Sequence, residues 1–389
     1  MHPLRGVAAI VGTCDTEVGI VPDKGPTELC SQAIRGALDD AGLTLADVDG
    51  LITCNSMADP YMYHAEMMAE YLQIFPGYTL SLGAGGGATF AALHHAASAI
   101  ATGMADTVVV AMAECLRTGL TRDQAMAMQS SSGHPQFERP YGPTVPAFYG
   151  LVARAYMDAY GATSEHFAAV AVSARDHACR HPFAQMREPI TIEDVLASRM
   201  IADPLHLLDC SLVSDGGCAV VLTSAERARD LRQSPVYLLG AGEGHSHEHI
   251  SATHNLVTSA AADSGRRAYE MAGVGPGDID VAGIYDCFTP VVLIELEDLG
   301  FCGKGEAGDF VTQGGLALDG ALPTNTHGGL LSHSHTGNPG SMFALTECVA
   351  QLRHSAGDRQ VADAQTALVH AQGGILSSHC TVILGRENT

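Results

Sequence analysis

The sequence has little positive charge: 20 lysine and arginine residues stand against 43 aspartate and glutamate residues, and the formal net charge is −23 at pH 7. Such a surface repels phosphate backbones and anionic lipid headgroups, which excludes nucleic acid and membrane surfaces as main partners. No apolar run approaches the ~18 residues that a membrane-spanning helix needs. The stretch MHPLRGVAAIVGTCDTE has one short apolar run and indicates a first β-strand rather than a signal peptide. We therefore expect a cytoplasmic protein.

The cysteines lack the spacing of a disulfide framework or of a structural metal site. There are eleven, an odd number, and no two form a CxxC pair. Tryptophan is absent and charged residues make up only 16% of the chain, whereas apolar residues make up 46%. A chain of 389 residues with this composition can bury a large interior, as two domains or one duplicated unit. We expect a reducing compartment and no bound metal.

Two segments of the chain repeat one pattern. Residues 37–54 read ALDDAGLTLADVDGLITC, and residues 268–287 read AYEMAGVGPGDIDVAGIYDC. Each predicts a helix that ends at Ala-Gly, a short loop with Asp-(Val/Ile)-Asp, and an apolar strand that finishes in cysteine. Glycine fits the helix end because it adopts the left-handed cap conformation at low cost. The repeat indicates a duplicated α/β unit.

A second repeat follows in the same order in each half. The turn GAGGGAT (83–89) opens a helix that a continuous apolar strand follows, and the turn HTGNPG (335–340) does the same later in the chain. Both helices carry apolar residues at three- and four-residue spacing, which is typical of helices packed on a sheet. Continuous apolar strands are typical of sheets that helices cover on both faces.

The repeats divide the chain into an N-terminal half, residues 1–235, and a C-terminal half, residues 236–389. The stretch from about 117 to 200 has no counterpart in the second half. It begins rich in Pro, His, Met and Ser and then becomes helical. We predict that this stretch is an insertion that caps the active site.

The order of these pieces resembles the thiolase superfamily, and within it the sterol-carrier-protein type of thiolase and its lipid-transfer-protein-like relatives. The resemblance covers essentially the whole chain and is carried by four signatures: YDCF (285–288), NTHGG (325–329), LLSHSHTG (330–337) and HAQGG (370–374). It implies the thiolase-like duplicated α-β-α-β-α layered fold, with two halves related by a pseudo-twofold axis. Duplicated folds of this kind bury a sheet edge between subunits, so we expect a homodimer.

The nucleophile of an ordinary thiolase is missing. That nucleophile is a cysteine at the N-terminus of the helix after the glycine-rich turn, where the helix dipole and backbone N–H groups lower the thiol pKa. Here the matching position falls on Gly85 or Gly86, and no cysteine is near it in sequence. The turn still offers N–H donors to a carbonyl oxygen but cannot form an acyl-enzyme.

Other parts of the family's site have counterparts. Tyr285 replaces the histidine of the sterol-carrier branch's His-Asp-Cys-Phe element, and it can donate a hydrogen bond or pass a proton; a tyrosine anchored in the core is the alternative. His335 falls on the histidine of the Gly-His-Pro element, which implies an oxyanion donor or a general acid–base. The remaining candidates are the two residues after the tyrosine and the late glycine loop: Asp286, Cys287, Gly373 and Gly374.

The resemblance implies chemistry on coenzyme A thioesters. Lipid-transfer-protein-like retro-aldolases lack the nucleophilic cysteine and shorten steroid side chains, with a small zinc-ribbon and OB-fold partner protein. We predict that the chain makes or breaks a C–C bond next to a thioester or ketone carbonyl by acid–base catalysis, without a tightly bound cofactor. Arginines of the insertion are candidates for contacts to the coenzyme A phosphates: Arg139, Arg175, Arg180 and Arg187.

Three alternatives stay open at this stage. The first is an acyl-CoA acyltransferase, which family membership favours and the missing cysteine opposes. The second is a non-catalytic thiolase-fold subunit. The third is a metal-dependent hydrolase, because His245, His247 and His249 alternate and can share a metal if they lie on one strand face.

Overall fold

A mixed nine-stranded sheet runs through the molecule. The computed structural model describes residues 2–388 and contains these strands: β1 (Ala8–Asp15), β2 (Gly50–Cys54), β3 (Tyr78–Leu82), β4 (Thr107–Cys115), β5 (Met200–Ala202), β6 (Leu205–His206), β7 (Asp215–Ser224), β8 (Val236–His245), β9 (Val281–Ile284), β10 (Thr366–Gly373) and β11 (Ser378–Gly385). The sheet order is β3-β2-β4-β7-β1-β8-β11-β10-β9, and β5 and β6 form a separate hairpin.

Helices cover the sheet and its insertion: α1 (Pro26–Ala41), α2 (His64–Leu72), α3 (Ala88–Ala101), α4 (Arg122–Ser131), α5 (Val145–Tyr160), α6 (Ser164–Ala178), α7 (Ile192–Ala197), α8 (Ala225–Ala228), α9 (Ala261–Ala272), α10 (Thr289–Asp298), α11 (Ala307–Thr312) and α12 (Met342–Leu352). Because helices lie against the sheet, β4, β7, β10 and β11 are buried almost along their whole length. None of the described helices has the length and apolar character needed to cross a membrane.

The two halves meet where β1 pairs with β8 in the middle of the sheet. On each side of this junction the pairing follows the same sequence, with two antiparallel pairs and then a parallel pair. The first half continues to a fifth strand, β3, whereas the second half keeps only a parallel bridge between Ala282 and Thr324. The predicted α/β thiolase-like fold with related halves is confirmed.

The repeated Asp-(Val/Ile)-Asp pattern has the same structural role in both halves. Asp47 accepts from the backbone N–H of Thr44, and Asp278 accepts from that of Gly275, each at the turn that follows α1 or α9. The second aspartate of each pattern fixes the start of the strand that pairs with the one after the turn. Its carboxylate accepts the N–H groups where β4 or β10 begins. The repeat in the sequence is therefore a repeat of hydrogen bonds.

The insertion lies between β4 and β7 and contributes α4 to α7. Helices α1 and α9 end at Gly42 and Gly273, both in the left-handed conformation that the sequence predicts. Helix α6 of the insertion packs on α7, which also belongs to the insertion, and on α10 and α11 of the second half. The boundary predicted at residue 235 lies immediately before β8. The division into two domains stays a prediction.

Candidate active site

Four segments meet at one end of the sheet: the glycine turn at Gly85 in the first half, and the segments that carry Tyr285, His335 and Gly373 in the second half. Tyr285 follows β9, and His335 lies in the turn before α12. The phenol oxygen of Tyr285 lies 3.1 Å from Nε2 of His335, and the two rings meet edge to face with their centroids 6.0 Å apart. The structure thus joins the two side chains that the sequence singles out as proton-transfer candidates.

The loop before β7 fixes the orientation of the His335 ring. Nδ1 lies 3.2 Å from the carbonyl oxygen of Leu212 and 3.3 Å from Oγ of Ser211, while Oγ of Ser214 accepts the backbone N–H of His335. A carbonyl oxygen only accepts, so Nδ1 carries the proton in the neutral ring and Nε2 presents its lone pair to Tyr285. Burial lowers the pKa of His335 to about 4, and the ring is neutral at pH 7.

Tyr285 stays protonated in the resting protein. Burial raises its pKa well above the ordinary value of a tyrosine, and the nearby Cys287 and Asp286 act in the same direction. The O–H group therefore donates to Nε2 of His335. A phenol that donates a hydrogen bond to a neutral imidazole can accept a proton from a substrate only if its own proton moves to the imidazole at the same time.

The Tyr285 ring occupies the space beside the glycine-rich turn. A Cβ on Gly86 would lie 2.5 Å from Cε2 and 2.6 Å from Cζ of this ring, closer than real Cβ atoms approach. Any residue other than glycine at position 86 would therefore displace the ring. A side-chain nucleophile on Gly86 and the present position of Tyr285 exclude each other.

The two glycine loops touch. Gly85 has a φ of 56°, and a Cβ there would lie 2.5 Å from Cα of Gly373. The next residue, Gly374, accepts a hydrogen bond from the phenol of Tyr149 at 3.1 Å. Tyr149 belongs to α5 of the insertion and stacks on Phe288 with ring centroids 4.4 Å apart. The insertion thus fixes the loop that could offer N–H donors to a carbonyl oxygen.

Asp286 organises the backbone that leads to His335. Its carboxylate accepts the N–H of Leu330 at 2.7 Å and that of Leu331 at 3.3 Å. A Cβ on Gly329 would lie 2.0 Å from Oδ2 of Asp286, so this turn requires glycine. Burial raises the pKa of Asp286 to about 7. The described contacts of this side chain are with backbone groups, which makes it a positioning residue.

Cys287 is a buried thiol. Its Sγ lies 3.3 Å from Nε2 of Gln372, and burial raises the thiol pKa far above its ordinary range. A thiol in such a place is not a thiolate at pH 7 and does not attack a carbonyl.

Sequence reasoning missed several residues that shape the site. Oγ of Ser341 donates to the carbonyl oxygen of Gly86 at 2.7 Å and so holds the glycine turn against the start of α12. Tyr149, Gln372, Ser211 and Leu212 were missed too. Leu212 acts on His335 through its backbone carbonyl, and a backbone contact leaves no signal in a side-chain pattern.

The candidate phosphate-binding arginines lie in different surroundings. Arg139 donates to the carbonyl oxygens of Gly133 and Ser131. Arg175 is buried and donates to Oγ of Ser332 at 2.9 Å and to the Glu188 carbonyl oxygen. Arg180 lines a surface groove of about 380 Å³, together with Arg187 and Arg359. Phosphate contacts by these arginines stay a prediction.

The histidines at 245, 247 and 249 do not converge. His245 contacts Ser378 and Glu243, and His247 contacts the Ile375 carbonyl oxygen. His249 packs edge to face on His134. Among residues 2–388, these three do not form a group with metal-ligand separations.

The chain belongs to the thiolase superfamily. The model of the thiolase N-terminal domain matches residues 8–226, and the model of the thiolase C-terminal domain-like family matches residues 242–386. The chain is 39% identical to a 17-hydroxy-3-oxo-4-pregnene-20-carboxyl-CoA lyase of Mycobacterium tuberculosis, over 96% of this chain and 98% of that protein. It is 38% identical to a steroid side-chain-cleaving aldolase of Thermomonospora curvata, over 100% of both chains. A solved Ltp2-ChsH2(DUF35) aldolase has a TM-score of 0.88 and 37% identity and covers 98% of both chains.

Proposed function

We propose that this protein cleaves a C–C bond by a retro-aldol reaction in a coenzyme A thioester that carries a hydroxyl group on its β-carbon. The products are a ketone and a shortened acyl-CoA. The observation that carries the proposal is the Tyr285 O–H···Nε2 His335 pair, which lies against Gly86 where a thiolase would need its thiol. Of two relatives of essentially full length, the one at 39% identity is named as a 17-hydroxy-3-oxo-4-pregnene-20-carboxyl-CoA lyase and the one at 38% as a steroid side-chain-cleaving aldolase.

The proton path follows from the tautomer of His335. The phenol oxygen of Tyr285 accepts the proton of the substrate hydroxyl while its own proton moves to Nε2 of His335. The electron pair of the O–H bond forms the ketone, the Cα–Cβ bond breaks, and its electrons form the enolate of the thioester. Reversal of the relay delivers one proton to the α-carbon, so the protein returns to its starting state.

Backbone groups are proposed to stabilise the enolate oxygen. The N–H groups of the turn at Gly85 and Gly86 lie at the start of α3, where the helix dipole adds positive potential. The loop at Gly373 and Gly374 lies against this turn and can add a second donor. No tightly bound cofactor is required for these steps.

The small size of the cavity at the candidate site supports a second protein in the complete enzyme. Tyr285, Asp286 and Ser341 line a cavity of only about 10 Å³, which is the size of one water molecule. Ligand pockets are usually several hundred Å³. We propose that a partner chain completes the acyl site, which the composition of the similar Ltp2-ChsH2(DUF35) structure supports. We propose that the partner is a small zinc-ribbon and OB-fold protein. We also propose that the chain forms a homodimer and that the acyl group of the substrate is a steroid.

The cellular setting that we propose is the cytoplasm. All eleven cysteines are free, including Cys179, which is exposed. Free exposed thiols are typical of reducing compartments, where coenzyme A thioesters are also used.

The decisive experiment is turnover of a synthetic β-hydroxyacyl-CoA with a tertiary hydroxyl on a ring carbon, with and without the candidate partner. We expect the ketone and the shortened acyl-CoA in equal amounts, and one deuterium on the α-carbon when the reaction runs in deuterated water. Mass spectrometry of the protein during turnover is the control. An acyl group on any cysteine would refute the non-covalent mechanism, and release of acyl-CoA without ketone would refute the retro-aldol reaction.

A further inference from the structure

Three buried side chains of metal-ligand type converge next to the small cavity that Tyr285 lines. Glu295 lies on α10, His370 on β10 and His379 on β11, and none of the three side chains is exposed. His370 also lines the small cavity that Tyr285 lines. The proton relay proposed above does not use this group, which we call the Glu-His-His cluster.

A chain of hydrogen bonds fixes the tautomer of His370. Oγ of Ser264 donates to the carbonyl oxygen of Ala261, so in its 2.8 Å contact with Thr381 the threonine is the donor. Thr381 then has no proton left for His370, and Nδ1 of His370 must donate to Oγ1 of Thr381 at 2.8 Å. The Nε2 atom of the neutral ring therefore carries a lone pair, which faces Nδ1 of His379 at 3.1 Å. Histidine ligands of metals are held in this way by a hydrogen bond on the other ring nitrogen.

The lone pair points to where the other two side chains meet. Nε2 of His370 lies 3.1 Å from Nδ1 of His379 and 3.5 Å from Oε1 of Glu295, and the last two atoms are 3.9 Å apart. Ligand atoms around a tetrahedral zinc ion, bonded at ~2.0–2.1 Å, are roughly 3.4 Å apart. The three atoms therefore already have the spacing of a metal site to within about half an ångström.

Glu295 has no other partner. Neither carboxylate oxygen makes a hydrogen bond within the described part of the chain, and Nε2 of His379 makes none either. A buried carboxyl group with both oxygens unpartnered is rare and destabilising, because it loses its hydration without compensation. A cation between Glu295 and the two imidazoles would supply that compensation.

We propose that Glu295, His370 and His379 bind a divalent transition-metal ion, with zinc the best match to a site of two imidazoles and one carboxylate. The ion joins α10 to the β10–β11 pair, next to the small cavity that His370 and Tyr285 both line. None of its three ligands takes part in the proton relay proposed above, so we assign the ion the role of holding these elements together. This proposal departs from the absence of metal expected from the sequence, and it is independent of the reaction proposed above.

The test is metal analysis of untagged protein purified without chelators from zinc-supplemented cells. We expect about one zinc per chain in the wild type. Glu295→Gln keeps the volume of the side chain and should lose the metal, whereas His95→Gln removes an exposed histidine and should keep it. Thr381→Val keeps the shape and removes the acceptor for Nδ1, so its zinc affinity should fall about 10- to 100-fold.

A second measurement needs no variant. Crystals of the wild type should show one anomalous-scattering peak at the zinc edge, between Nε2 of His370 and Nδ1 of His379. Wild-type protein without metal and without this peak would overturn the proposal. Full zinc content in Glu295→Gln would overturn it too.

Discussion

The two halves of the molecule present equivalent strand ends that differ in chemistry. In the second half, β9 leads into Tyr285, whose hydroxyl has only the imidazole of His335 as a hydrogen-bond partner among residues 2–388. In the first half, β2 leads into Asn55 and Ser56, and the end of the neighbouring strand carries Glu114. That carboxylate accepts hydrogen bonds from Ser56 and from the backbone N–H groups of Met57, Ala58 and Cys115. At the end of β2, the polar groups are thus already hydrogen-bonded to one another within the protein.

The difference explains how a duplicated backbone arrangement can carry a single proposed active site. Both halves keep the glycine-capped helix, the Asp-x-Asp turn and the buried strand, because these residues hold the backbone. The first half contributes mainly backbone to the site, through the turn at Gly85 and Gly86. The second half contributes the side chains Tyr285 and His335. Fold and chemistry are therefore carried by different positions of the same repeat.

The largest effect is expected for Tyr285→Phe. The phenylalanine ring keeps its packing on Gly86 but has no oxygen to accept the substrate proton. Loss of a positioned acid–base group costs about 10²- to 10⁴-fold, so kcat/KM for the cleavage should fall within that range. Tyr149→Phe, which removes a hydroxyl from the insertion, is the matched control and should lose less. Losses of equal size in the two variants would show that the Tyr285 hydroxyl has no special part in the reaction.

His335→Gln should cost about 10²-fold in kcat/KM, near the lower end of the acid–base range. Glutamine can still accept from Tyr285 but cannot hold the transferred proton. Combined with Tyr285→Phe, the loss should be far less than additive, since the two groups form one relay. Multiplicative losses in the double variant would show that the groups act separately.

Gly86→Ala tests whether the first half's turn must stay bare. The added Cβ would lie 2.5 Å from the Tyr285 ring, which must move away from His335. We expect kcat/KM to fall about tenfold or more, because small displacements of a positioned group are costly. Gly83→Ala is the control, since nothing lies within 4 Å of a Cβ at that position. Equal activity of the two variants would remove the steric argument.

The duplicated helix–turn–strand arrangement was predictable from the sequence, whereas the contacts that hold the site residues in place were not. The Ala-Gly helix ends and the Asp-x-Asp turns were visible because the same residues recur for the same hydrogen bonds in both halves. Tyr285 and His335 were visible because their neighbours resemble a family. The carbonyl oxygen of Leu212, which sets the tautomer of His335, left no trace in the sequence. The Glu-His-His cluster also escaped prediction, since its residues come from α10, β10 and β11 and meet only in the folded chain.

The pH dependence should distinguish the buried His335 from an ordinary histidine. Its neutral form accepts the proton, and burial lowers its pKa to about 4. The acid limb of kcat/KM that belongs to His335 should therefore appear as the pH falls through about 4. A separate limb near 7 is assigned to Asp286, whose carboxyl pKa burial raises to about 7, and it should disappear in Asp286→Asn. Rates are measured in short assays with intact protein verified by circular dichroism at each pH. A limb centred near 6.5 that remains in Asp286→Asn would show that His335 is solvated in the working enzyme.

Glu114→Gln should have the smallest effect on activity and tests the closed strand end of the first half. The amide keeps one acceptor oxygen but replaces charge-assisted hydrogen bonds, which contribute about 1.5–3 kcal/mol each, with weaker ones. We expect the free energy of unfolding in urea to fall by about 1–3 kcal/mol, with kcat/KM at pH 7 within about twofold of the wild type. A large loss of kcat/KM at unchanged stability would mean that the first strand end takes part in the reaction, and the asymmetry between the halves would then be one of position rather than of role.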